Sequence, residues 1–75
     1  MTFPKGIVAD PEVQGGAPVV AGTRIPAYAV VELAAAGRSL DEIRANYYPT
    51  LTAAQIKACL EYAARVLKEE AVYAV

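Results

Sequence analysis

Apolar positions along the chain fall into two regimes. Up to Pro26 they come in short bursts punctuated by glycine and proline, and from Ala27 onward they recur at helical spacing. Residues 7–9, Ile-Val-Ala, read as a short strand, which Asp10-Pro11 ends because a residue before proline avoids the helical region. The stretch "APVVAGTRIPA" then reads as a small hairpin, Val19-Val20 against Thr23 to Ile25, with residues 7–9 able to lie beside it. Its reversal falls at Ala21-Gly22, where glycine supplies the positive φ that tight turns need.

Three helices are predicted after it, over about 27–36, 39–47 and 52–70. Val30, Val31, Leu33 and Ala34 give the first its apolar side, and Gly37 stands where a helix stops. Ser39 precedes Glu42 by three positions, the spacing at which hydroxyl and carboxylate cap each other's backbone donors. Leu40, Ile43 and Tyr47 mark the buried side of that second helix. Pro49 interrupts it, and Thr52 with Gln55 repeats the capping pattern, Leu51 and Ile56 being spaced as a hydrophobic staple. The third helix is predicted to bury Ile56, Cys59, Leu60, Ala63 and Leu67, with Lys57, Glu61, Arg65 and Lys68 on its other side. The fold class expected is α+β, mostly α: a short N-terminal hairpin region (7–26) and a three-helix, helix-turn-helix-like bundle, all in one domain, 1–75.

Composition adds constraints. Sixteen of the hydrophobic residues are alanine, so large side chains are scarce and association with a copy or a partner is expected. Seven basic against eight acidic residues give a net charge of −1, so any affinity for nucleic acid needs local clustering or dimer symmetry. The single cysteine, Cys59, excludes an internal disulfide and suits a reducing compartment; we expect a cytoplasmic protein. Val72, Tyr73 and Val75 are costly to leave in water near a chain end, which makes them a candidate partner-docking tail, with a frayed tail as the alternative.

Little in the chain suggests reaction chemistry. There is no histidine, the acids are scattered, and "GGAPVVAG" lacks both the dinucleotide glycine order and the lysine of a phosphate loop. No enzyme, cofactor or metal is expected. Two short helices followed by a longer one are instead the order of a helix-turn-helix module. On that reading Thr52, Gln55 and Lys57 approach bases or phosphates, and Arg38 and Arg44 touch the backbone. An interaction module without a DNA role is the alternative, because a third helix showing Ala53, Ala54 and Ala58 beside one lysine is a weak electrostatic instrument.

From Ile7 to about Arg65 the chain resembles the domain of unknown function 433 family. The resemblance is carried by "DPEVQGGAPVVAGTRI" and by the later "SLDEI" and "LTAAQI" blocks. It implies a small winged or homeodomain-like protein, an antitoxin of the VapB type that neutralises a PIN-like ribonuclease toxin and, as a homodimer, binds operator DNA. Gly16, Pro18, Gly22, Thr23 and Arg24 match the family signature; we expect them to serve the fold or an interface, with Arg24 an anchor and not a catalytic group.

Overall fold

The computed structural model describes residues 2–70. It is α+β and mostly helical: strands β1 (Ile7–Ala9) and β2 (Pro18–Val20), then helices α1 (Ala27–Ala35), α2 (Leu40–Asn46) and α3 (Ala53–Glu70). β1 and β2 pair antiparallel, with Ile7 opposite Val20, Val8 opposite Val19 and Ala9 opposite Pro18. Pro18, which has no N–H to give a ladder, stands at the strand's first position, where proline is tolerated.

This pairing differs from the sequence expectation. Residues 23–25 form no strand: the Val20 N–H donates to the Ile25 carbonyl at 3.0 Å and one isolated bridge pairs Val19 with Pro26, while residues 7–9 supply the strand partner. The reason lies in Thr23. Its Oγ1 donates to the Val20 carbonyl at 2.8 Å and accepts the Ile25 N–H at 3.0 Å. Beside the one backbone bond from Val20 N–H to the Ile25 carbonyl, a side chain thus serves the Val20 carbonyl and the Ile25 N–H, and the segment curls instead of extending. The link between the strands is a turn of similar design: Asp10 Oδ1 accepts the Glu12 N–H at 2.9 Å, and a 3-10 turn at Gln14–Gly16 leads into β2.

The helices begin and end as their local chemistry dictates. Gly37, at φ 92°, closes α1: its own N–H reaches the Ala34 carbonyl and the Arg38 N–H reaches Leu33, which satisfies two carbonyls the helix leaves unpaired. Both capping boxes form. Ser39 N–H donates to Glu42 Oε1 at 2.9 Å and Glu42 N–H to Ser39 Oγ at 3.1 Å. Likewise Thr52 N–H donates to Gln55 Oε1 at 2.7 Å and Gln55 N–H to Thr52 Oγ1 at 3.1 Å.

The core gathers Ile7 and Val20 from the sheet, Ala27 and Val30 from α1, Ile43 from α2, and Leu51, Ile56 and Cys59 at and within α3. α1 packs chiefly on α3. Two residues assigned to buried faces lie elsewhere: Tyr47 follows the end of α2 and is 43% exposed, and Leu67, in the C-terminal part of α3, is 65% exposed.

Candidate partner-docking and nucleic-acid surfaces

The signature residues are mostly spent on the fold. Gly22 takes φ 78° at the reversal after β2, and Thr23 closes that loop by the two bonds described above. Gly16, at φ 89°, has the Pro11 backbone 3.8 Å from where a Cβ would stand. Arg24 is held by its backbone: Gln14 Nε2 donates to its carbonyl at 3.0 Å, which ties the two loops together, while the residue itself is exposed. Gln14 itself adopts a left-handed φ of 51°, unusual for a residue with a side chain.

The five candidate DNA contacts divide. Arg44 Nε donates to the Leu51 carbonyl at 2.9 Å, fastening α2 to the segment that precedes α3. Arg38 lies 4.0 Å from Glu42 and over the ring of Tyr47, 5.9 Å from its centroid. The backbone and side-chain bonds from Ser39, and then the charge of Arg38, hold the Glu42 carboxyl below its ordinary range. Thr52 Oγ1 and Gln55 Oε1 are engaged in the cap of α3. Lys57 is exposed and, among the described residues, makes no ion pair; it lines a shallow cleft of about 420 Å³ with Lys5, Ala54, Ala58 and Glu61.

Lys5 reaches that cleft because the residues before β1 are strapped to α3. Phe3 packs edge-on against Tyr62, ring centroids 5.6 Å apart, Pro4 is buried, and Arg65 Nη1 donates to the Thr2 carbonyl at 2.9 Å. Arg65 also pairs with Glu61 at 3.5 Å. No local sequence pattern connects Lys5 to a helix some fifty positions later, so its place at the cleft is visible only in the fold.

On another face, α1 and α3 enclose an apolar groove of about 340 Å³ lined by Tyr28, Val31, Glu32, Tyr62, Val66 and Leu67 among others. Tyr28 is 58% exposed. Its apolar lining was hard to foresee: α1 carries apolar residues on two sides, so the spacing that placed Val30 and Val31 together could not tell core from groove. The tail residues Val72, Tyr73 and Val75 lie outside the described residues.

Among the described residues no three His, Cys, Asp or Glu side chains gather as metal ligands. Burial pushes the Cys59 thiol up to about 11, so it stays protonated at neutral pH and behaves as a small hydrophobe. No described helix is long and apolar enough to cross a membrane.

Similarity to known proteins follows the same segments. An uncharacterized protein, y4eO, of Sinorhizobium fredii (strain NBRC 101917 / NGR234) is 39% identical over 57 residues, which is 76% of this chain and 25% of that protein. The crystal structure of a DUF433 member protein from Anabaena variabilis ATCC 29413 superposes with a TM-score of 0.75 at 33% identity, covering 85% of this chain and 62% of that one. This chain therefore spans about a quarter of the curated relative and under two thirds of the solved one. The family model described as "Protein of unknown function (DUF433)" matches residues 7–63, from the first strand into the third helix, and the chain belongs to that family.

Proposed function

We propose that the protein is an antitoxin-like regulator, a non-enzymatic docking protein that binds and neutralises a PIN-like ribonuclease toxin and, as a homodimer, contacts operator DNA. The observation that carries the reading is the groove between α1 and α3. Tyr28 and Leu67 stand 58% and 65% exposed beside Val31, Tyr62 and Val66, and a patch of two tyrosines with aliphatic neighbours has the make-up of a protein-binding hot spot. Leaving such side chains in water costs free energy that a partner's cover would recover.

A second reading, an assembly module with no DNA role, has its own support. Arg44 Nε, Thr52 Oγ1 and Gln55 Oε1 are engaged within the fold, which leaves fewer polar atoms to read bases.

Co-expression with the product of the adjacent reading frame tests the proposal, which expects that product to be a PIN-like protein. Leu67→Asp should abolish the complex and the neutralisation while leaving the melting temperature alone, since Leu67 adds little to the core; an intact complex would remove the groove from the interface. A gel shift on the upstream DNA separates the two readings, because retardation that fades with added salt belongs only to the first.

A further inference from the structure

Lys57, a candidate DNA contact by sequence, shares its cleft with Lys5, which no sequence pattern connects to it. Two lysines from segments far apart in sequence line the cleft together with Ala54 and Ala58, whose side chains are short enough to let a chain come close to α3. Among the described residues neither lysine has an ion-pair partner, whereas the one acid of the cleft, Glu61, is engaged by Arg65. In a chain of net charge −1 this is a local excess of positive charge, and the N-terminal strap is what creates it.

We infer that the cleft seats a phosphodiester backbone, each lysine facing a phosphate. This deepens the DNA-contacting part of the proposed function and is independent of docking at the α1–α3 groove. Charge complementarity argues for the backbone as occupant. The walls offer ammonium groups without the bidentate amides or guanidinium forks that read base edges, so the contact positions a nucleic acid without selecting its sequence. Arg65 acts as a positioning residue. The same guanidinium fixes the strap through Thr2 and occupies Glu61, whose carboxylate would otherwise repel a phosphate.

The test is a titration of a random-sequence DNA duplex with the full chain, followed by fluorescence anisotropy from about 50 to about 200 mM salt. Lys5→Gln and Lys57→Gln should each lower the slope of log affinity against log salt by about one per bound protomer, and Lys→Arg at both positions should restore it. Arg65→Ala should weaken binding too, although it lies outside the cleft, while Lys68→Gln should change neither slope nor affinity beyond the loss of one distant charge. Both lysines are exposed, so an unchanged melting temperature will show that the fold survives. The inference is overturned if the parent fails to bind at the lowest salt, or if the double Gln variant binds as the parent does. It is overturned as well if polyglutamate displaces the duplex at equal charge concentration, which would assign the cleft to an acidic protein segment. Toxin binding, read separately with Leu67→Asp, is unaffected by any of these results.

Discussion

Replacing Thr23 by valine keeps the shape of the side chain and removes only its hydroxyl. In the native loop that hydroxyl donates to the Val20 carbonyl at 2.8 Å and accepts the Ile25 N–H at 3.0 Å. The Val20 carbonyl would keep a second donor, the Thr23 N–H at 3.0 Å, so the lasting damage falls on Ile25, whose amide loses its acceptor. An orphaned buried donor costs about 1–3 kcal/mol, and the half-buried setting of this loop points to about 2 kcal/mol in all. For a domain of this size that is a fall in Tm of about 8–16 °C. Thr23→Ser keeps both bonds and loses one methyl, about 0.8 kcal/mol at most. Thermal and denaturant melts followed by circular dichroism compare the three proteins. If Thr23→Val melted with the parent, or if Thr23→Ser fell as far as Thr23→Val, the hydroxyl would not be what closes this loop. The same comparison separates structure from recognition, because a signature residue that served only a partner would lose binding and keep its Tm.

Other outcomes follow from the caps, the core and the lone thiol. Thr52→Ala should cost about 1 kcal/mol by opening the cap of α3, and equal melting temperatures would refute that assignment. Ile56→Ala, at a position fully removed from solvent, should cost about 2–5 kcal/mol in a urea melt. Cys59 has a folded pKa raised above that of the unfolded chain, so its contribution is fully present below about pH 9 and is lost as pH rises toward about 11. Stability measured across that window should fall more steeply for the parent than for Cys59→Ala, and parallel profiles would deny the thiol any part in it.

What could be read from the sequence was local. Each capping box is complete within four residues, and Gly37 terminates α1 through bonds to its own last turn, so the spacing of Ser39, Glu42, Thr52 and Gln55 was enough to place both helix starts. Strand pairing was a different matter. Val19-Val20 had two β-branched neighbours to choose from, and periodicity does not rank a nearby segment against one ten residues back; the Thr23 hydroxyl made the choice. The sites divide in the same way. Thr52 and Gln55 suit a DNA-reading helix by type and position, yet the features that announced their cap also engaged Thr52 Oγ1 and Gln55 Oε1 as acceptors. Leu67 fits the apolar stripe of α3, but the stripe outruns the core and its last members border the groove. Lys5 and Arg65 gain meaning only when a hydrogen bond joins positions 63 residues apart.

That long-range clasp bears on the order in which the molecule is completed. A contact between Thr2 and Arg65 cannot help start folding, since the intervening chain must be gathered before the two meet. The strap is thus a late closure, and the twin-lysine face arises only in a finished protein. A nascent or half-unfolded copy carries the same charges scattered along a faintly acidic coil, and presents no such face to whatever anion lies nearby.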